Sequence, residues 1–485
     1  MFLTSMRSHA WQRPALAGGI ASLAAAGMGA LITLQLSWFD LLALTFAAVL
    51  GPLAAFHPDL LVAIFLGLLW ARVSDVGIAQ HALPSLALPF AIGLLFLSIW
   101  KRLAKGERIS LATFSHAAPV VPYLIVVSLS TLWATAPDRA LSTAVDLAKD
   151  VLIFWVLVEL IHSVRTLKMC CLALTFVTGA LGALSVYQQA TSTFTSAYGG
   201  FAQASLRQIV GSVSLYRLGG PIGDPNYYAL ILLVVVPLGL ALLRTPLSFV
   251  VRAVVACATL MTVVAVFLTY SRGGALVLAL ACLLSLAHSH MRLAVVAGVA
   301  IALPVAVMFA PTSLWDRLAT IIGPFEDTGR VGQVVDESVE LRLGAQRVAL
   351  EMFLDSPLGG VGAGNYPVLY QDYSQRLGVA AVATEFYPHD LYLQVAAETG
   401  ALGLLTFVPA VVGPLVLLGM MRRVSRTGSA QMVEWQTLSA GVEIALVCYL
   451  VASLMLHASY PRYLWMLLGI AVATRRVAPL TTSRI

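Results

Sequence analysis

The stretch Tyr227–Leu243 reads YYALILLVVVPLGLALL and contains no charged residue. An α-helix needs about 20 such residues to cross the hydrocarbon core of a bilayer, which is roughly 30 Å thick. Because unpaired backbone amides cannot face lipid, and because the stretch lacks the alternation of a barrel strand, we predict a transmembrane helix. Comparable stretches are Leu41–Phe56, Leu83–Ile99, Leu172–Tyr187, Val250–Leu268, Leu293–Phe309, Leu402–Leu418 and Val442–Leu456.

The composition excludes a soluble enzyme of this length. Hydrophobic residues make up 59% of the 485 residues and charged residues only 11%, whereas a soluble domain carries about 25% charged residues. Lipid must therefore surround most of the surface. The net charge of +6 is modest, so we attribute it to sidedness across a membrane and predict no nucleic-acid partner.

Basic residues predict the orientation, because Lys and Arg accumulate in cytoplasmic loops. The clusters are Arg7/Arg13, Lys101/Arg102/Lys105/Arg108, Arg165/Lys168, Arg244/Arg252, Arg292, Arg422/Arg423/Arg426 and Arg475/Arg476/Arg484. Their spacing places both termini in the cytoplasm and requires an even number of helices. The helices drawn are 15–36, 38–56, 60–73, 83–100, 119–135, 145–161, 169–190, 226–243, 249–270, 274–289, 292–310, 390–419, 437–457 and 462–475. We therefore predict an all-α polytopic membrane protein with about 12–14 transmembrane helices.

Three regions follow from this topology. Residues 1–310 hold the N-terminal transmembrane helices and a smaller periplasmic loop at about 191–226. Residues 311–389 form one large periplasmic loop, and residues 390–485 form the C-terminal transmembrane helices and a short cytoplasmic tail. The large loop is too long to lack structure of its own. Within it, Glu337–Leu354 has apolar residues at helical spacing, which predicts an amphipathic helix.

Arginines on the outer side are candidate anion ligands. Arg272 lies in the tight turn Ser271–Gly274 between two apolar stretches, and Arg217 precedes a segment rich in Gly and Pro. An arginine beside hydrocarbon is costly unless it is paired or faces a wet cavity. Its guanidinium can bind a phosphate group in a bidentate manner, with two parallel hydrogen bonds to two phosphate oxygens. The alternative is an arginine that binds no ligand and whose long side chain places its charged end in the water at the membrane surface. This alternative is strongest for Arg207.

His389 is the candidate general base. It lies between Pro388 and Asp390, where the polar loop gives way to an apolar helix. The positive end of a helix favours the neutral imidazole, which is the form that accepts a proton. The alternative is an interfacial polar residue without a chemical role.

The glycine-rich run Leu358–Tyr366 does not predict a nucleotide site. It lacks the lysine and the strand–loop–helix context of a phosphate-binding loop, so we predict a tight backbone turn. Glu398 is expected to be a buried, hydrogen-bonded acid. No His, Cys and Asp spacing is typical of a metal site, and we predict no metal and no cofactor.

The order of these segments resembles the O-antigen ligase and polymerase superfamily of bacterial inner-membrane glycosyltransferases. The segments that carry the resemblance are Arg217, Pro225-Asn226, Ser271-Arg272-Gly273, the long outer loop, Gly360–Tyr366, His389–Leu393 and Glu398–Gly403. This superfamily usually has Asn after the histidine, where this chain has Asp390.

The resemblance implies a GT-C-like fold and a ligase. Such an enzyme moves O-antigen polysaccharide from undecaprenyl pyrophosphate to a sugar hydroxyl of lipid A-core, on the periplasmic face of the inner membrane. The transfer would be inverting and independent of metal, with His389 as the base and with Arg217 and Arg272 on the pyrophosphate. The supporting residues would be Arg207, Asn226, Ser271, Asn365, Asp390 and Glu398.

Two alternatives remain open. A polymerase of the same superfamily would use a lipid-linked chain as the acceptor. A secondary transporter would also be polytopic, but transporters commonly have repeated halves with charges at the membrane midplane. Here the polar candidates gather on one side, and the single large loop makes the two halves unlike.

Overall fold

The computed structural model describes residues 57–104, 118–210, 213–288, 337–379, 385–424, 428–457 and 462–479. The chain divides into two compact units, Met1–Leu61 and Val62–Ile485. In the first unit, residues 57–61 are described. The predicted transmembrane helices at 15–36, 38–56 and 292–310 lie outside the described residues.

The described residues are mostly helical. The helices are α1 (Pro58–Trp70), α2 (Val73–His81), α3 (Ala87–Ala104), α4 (Val121–Leu129), α5 (Pro137–Leu160), α6 (Val164–Thr191), α7 (Pro225–Leu233), α8 (Val236–Leu242), α9 (Phe249–Leu268), α10 (Arg272–Ala287), α11 (Glu337–Asp355), α12 (Tyr366–Leu377), α13 (Leu391–Val424), α14 (Ala430–Ala452) and α15 (Arg462–Arg476). Short 3₁₀ turns cover Ser130–Leu132 and Tyr198–Gly200.

Five helical segments in the described residues are long and apolar enough to cross a membrane. They are α6, the pair α7–α8, α9, α13 and α14, and they confirm the helices predicted at 169–190, 226–243, 249–270, 390–419 and 437–457. The pair α1–α2 adds a sixth if its two helices, bent by 47°, form one broken span. The predicted segment 274–289 is the shorter apolar helix α10.

A β-hairpin corrects the prediction that the fold is entirely α-helical. Strands β1 (Gln203–Val210) and β2 (Val213–Gly220) pair antiparallel, with Ser205 opposite Arg217. The two runs are separated by Gly211-Ser212, and two β-prone runs joined by such a dipeptide are typical of a hairpin. The prediction of a plain loop at 191–226 overlooked this local signal.

The described part of the large polar segment has its own helical structure. Helix α11 confirms the predicted amphipathic helix. It packs with α12 around a shared apolar core that includes Met352, Tyr366 and Tyr370, and Ala397 of α13 belongs to the same core. This packing holds α11 close to the start of α13.

The glycine-rich run is a structural connection, as the sequence predicts. Backbone amides of Val361 and Gly362 donate to the carbonyl oxygens of Ala397 and Glu398, both at 2.9 Å. Gly360 has φ 67°, and a Cβ there would lie 2.4 Å from backbone atoms of α13. The run also interrupts the regular bonding of α13, which has a non-helical residue at Gly400. Glycine is therefore required at position 360 both for the backbone conformation and for the close approach.

Candidate active site

The described residues enclose a small cavity of about 40 Å³ lined by three arginines, Arg217, Arg272 and Arg342. We call it the arginine cavity. The polar residues of its lining also include Asn226, Tyr270 and Ser271. The structure thus brings together both arginines that the sequence proposed as anion ligands, and it adds Arg342 of α11.

Two hydrogen bonds to neutral groups orient Arg217. It lies near the end of β2 and is 7% exposed. Its Nε donates to the backbone oxygen of Thr269 at 2.9 Å, and its Nη2 donates to Oδ1 of Asn226 at 2.9 Å. Neither bond neutralises the guanidinium charge, so Asn226 orients the arginine without reducing its attraction for an anion.

Arg272 is the first residue of α10. Ser271 is the N-cap, and its hydroxyl accepts a hydrogen bond from the backbone amide of Gly274 at 3.2 Å. A Cβ at Gly274 would lie 2.8 Å from that of Ala229, so the start of α10 packs closely against α7. The positive end of the helix and the charge of Arg272 therefore reach the same cavity.

Asp390 is the N-cap of α13. Its Oδ1 accepts hydrogen bonds from the backbone amides of Tyr392 and Leu393, each at 2.9 Å. The carboxylate therefore caps the helix that follows His389. His389 itself has φ 51°, which is a strained conformation for a residue other than glycine. This conformation turns the chain just before the helix.

The ring of His389 lies among aromatic groups. It meets the rings of Phe386 and His457 edge to face, with centroids 5.2 Å apart in each case. His457 stacks on Tyr387 with centroids 4.5 Å apart. Nδ1 of His389 is buried and has no hydrogen-bond partner among the described residues.

The imidazole of His389 is neutral near pH 7. Burial, followed by the nearby His457 and Arg342, lowers the pKa of His389 to about 3, although the carboxylate of Asp224 acts in the opposite direction. The sequence argument attributed the neutral form to the helix end, but burial is the largest cause. Because its charge acts on His389, Arg342 links this ring to the arginine cavity.

Three residues near these groups were missed from the sequence. Arg342 is one of several charged residues in the polar loop, Asp224 is the N-cap of α7, and His457 follows α14. Asp224 had a detectable signal in the sequence. An Asp followed directly by Pro is typical of an N-cap and the first residue of a helix, as at Asp224 and Pro225. No local pattern marks Arg342 or His457, because both reach His389 from distant parts of the chain.

The remaining predicted residues have other positions. Arg207 is on β1 opposite Leu215 in the strand register; its side chain is outside the described part of the structure. Asn365 is buried, and its Oδ1 accepts a hydrogen bond from the backbone amide of Ala136 at 2.7 Å. Glu398 is buried and accepts from Nε2 of Gln394 at 3.3 Å. Asn365 and Glu398 thus support the glycine-rich run and α13.

Residues 257–408 match the family model described as O-antigen ligase. The match confirms, over that segment, the family resemblance that the ordered segments predicted. It covers about a third of the chain and includes Arg272, Arg342 and His389, whereas Arg217 and His457 lie outside it. No curated protein matches the chain significantly.

The match and the apolar helices together support a multi-pass membrane protein of the ligase and polymerase superfamily. The family match implies, in general terms, a glycosyltransferase-like enzyme that acts on lipid-linked glycans.

Proposed function

We propose that the protein is an O-antigen ligase of the bacterial inner membrane. It would transfer O-antigen polysaccharide from undecaprenyl pyrophosphate to a sugar hydroxyl of lipid A-core on the periplasmic face. The observation that carries the proposal is the meeting of three guanidinium groups at one cavity, with Arg342 acting on the neutral ring of His389. Residues 311–389 would be the periplasmic loop that contributes Arg342 and His389.

The arginine cavity suits the leaving group. Negative charge develops on the pyrophosphate as the glycosidic bond breaks, and fixed guanidinium donors stabilise that charge. The cavity of about 40 Å³ is the size of a few water molecules. It therefore matches one phosphate group, and the attached sugar would extend out of it toward His389.

His389 would take the proton of the acceptor hydroxyl. As the acceptor oxygen forms its bond to the anomeric carbon, the bond from that carbon to the pyrophosphate oxygen breaks, and the configuration inverts. The proton goes to the imidazole and then to solvent. The negative donor raises the pKa of His389 toward the working range, and the carboxylate of Asp224 stabilises the imidazolium that forms.

Reconstituted transfer tests the proposal. Purified protein is mixed with lipid-linked O-antigen and with rough lipopolysaccharide, which carries core sugars but no polysaccharide. His389→Ala should lower transfer about 10²–10⁴-fold and leave donor binding intact. Elongation of the lipid-linked donor in place of transfer to core sugar would identify a polymerase. Transfer at the wild-type rate by His389→Ala would remove the base from the mechanism.

A further inference from the structure

A second cavity, of about 400 Å³, lies where α1 and α2 meet at their bend, next to α5, α7 and α15. This volume is within the range of about 300–1,000 Å³ that is typical of small-molecule sites. The residues that decide its chemistry are Asp75, Asp146, Asp150, Arg72, Lys149, Arg462, Tyr227, Tyr463 and His457.

Its lining holds both acidic and basic groups, in contrast to that of the arginine cavity. Among the described lining residues, three carboxylates face three cations. Nε of Arg72 donates to Asp75 at 3.0 Å, Nη1 of Arg462 donates to the same carboxylate at 3.2 Å, and Lys149 pairs with Asp146 at 2.8 Å. A carboxylate accepts about four hydrogen bonds, so these oxygens keep capacity for hydroxyl donors. This mixture of acidic and basic groups favours a neutral polar ligand over an anion.

Nδ1 of His457 is a buried polar atom of the lining that has no hydrogen-bond partner among the described residues. The other polar groups of the lining have neighbours in the protein: the hydroxyl of Tyr227 interacts with that of Tyr449, and Arg462 bonds to Asp75 and lies 3.7 Å from Asp150. Buried polar groups in native proteins are nearly always bonded, so Nδ1 of His457 indicates a ligand that supplies a hydrogen-bonding group.

The second cavity lies next to the candidate base. His457 lines it, and the residues just before, Met455 and Leu456, line the arginine cavity. The ring of His457 contacts that of His389. A ligand in the second cavity would therefore lie against His457, whose ring contacts the imidazole of His389, while the phosphate groups would occupy the arginine cavity.

We propose that the second cavity binds the sugar ring of the acceptor that carries the attacking hydroxyl. The proposal rests on the transfer function proposed above. Carboxylates accept hydrogen bonds from neighbouring sugar hydroxyls, and the rings of Tyr227 and Tyr463 offer apolar faces against which a sugar ring packs. His457, whose ring contacts that of His389, lines this cavity, so the acceptor sugar would lie on the side of the base.

Tyr227→Phe tests this assignment, because it removes the hydroxyl of a residue that lines the cavity and keeps its ring. With saturating donor, KM for rough lipopolysaccharide should rise about tenfold, the loss of roughly one hydrogen bond. kcat and KM for the donor should not change. Asp146→Asn, at a more exposed carboxylate, should raise the same KM. Tyr123→Phe is the matched control, because Tyr123 is buried in α4 and lines neither cavity.

Binding of labelled rough lipopolysaccharide, measured without donor, separates this proposal from the function on which it rests. If the wild type binds the glycolipid and Tyr227→Phe weakens binding, the cavity assignment holds even where transfer is absent. Unchanged acceptor KM and unchanged binding in both Tyr227→Phe and Asp146→Asn would overturn it. A rise in donor KM alone would also overturn it and would assign the cavity to the donor sugar.

Discussion

Replacing Arg342 tests the link between the arginine cavity and the base. Arg342 lines the arginine cavity beside Arg217 and Arg272, and its charge contributes to the low pKa of His389. Loss of one donor that acts on the developing charge costs about 2.7–4 kcal/mol, which corresponds to about 10²–10³-fold in rate. We therefore expect Arg342→Ala to lower kcat/KM for the donor by that factor. Arg342→Lys keeps the charge but loses the paired donors, so it should cost about tenfold.

The pH dependence gives a second, independent result. Removing the positive charge of Arg342 raises the pKa of His389, because that charge disfavours the imidazolium. A base must be neutral to act, so a larger fraction of His389 is protonated and inactive at acid pH in Arg342→Ala. As the solution is acidified, the residual activity of this variant should therefore begin to fall at a higher pH than that of the wild type.

Initial rates with purified protein, at varied donor and saturating acceptor, measure both effects. Arg347→Ala is the matched control, because Arg347 is an exposed arginine of the same helix and does not line the cavity. Melting temperatures of all variants show whether α11 is still packed. Unchanged kcat/KM in folded Arg342→Ala, or an equal loss in Arg347→Ala, would refute the assignment of Arg342 to the pyrophosphate.

Other predictions concern the same site and its orientation. Arg272→Ala should lose more transfer activity than Arg272→Lys, because lysine keeps the positive charge but not the bidentate hydrogen bonds of the guanidinium. Transfer at the wild-type rate by Arg272→Ala would exclude Arg272 from the pyrophosphate site. The pKa of His389 falls from 6.5 to about 3 on folding, so its contribution to stability is complete above pH 6.5 and is lost as the pH falls toward 3. By pH 5 the loss is about 2 kcal/mol. The drop in melting temperature from pH 7 to pH 5 should be smaller in His389→Gln, and an equal drop would contradict the burial argument. In a background without native cysteines, an impermeant reagent added to cells with a permeabilised outer membrane should label Gln375→Cys but not Ala430→Cys, and the reverse pattern would invert the orientation.

Local sequence patterns are sufficient to predict several elements of this protein. The apolar stretches predict the long helices α6, α9, α13 and α14, because a helix in lipid needs little more than length and hydrophobicity. The spacing of apolar residues predicts α11. The hairpin β1–β2 has an equally local signal in Gly211-Ser212, so its omission was an error of interpretation.

The candidate site depends on contacts between distant residues. Arg342 and His457 carry no pattern of their own, and they approach His389 from two distant parts of the chain, Arg342 from α11 and His457 from the segment after α14. The low pKa of His389 arises mainly from burial, which depends on how the surrounding elements pack. Likewise, the second cavity exists because α1, α2, α5, α7 and α15 meet there. Hydropathy and capping act over a few neighbouring residues and so can be seen in the sequence, whereas desolvation and charge convergence arise only when remote segments pack together.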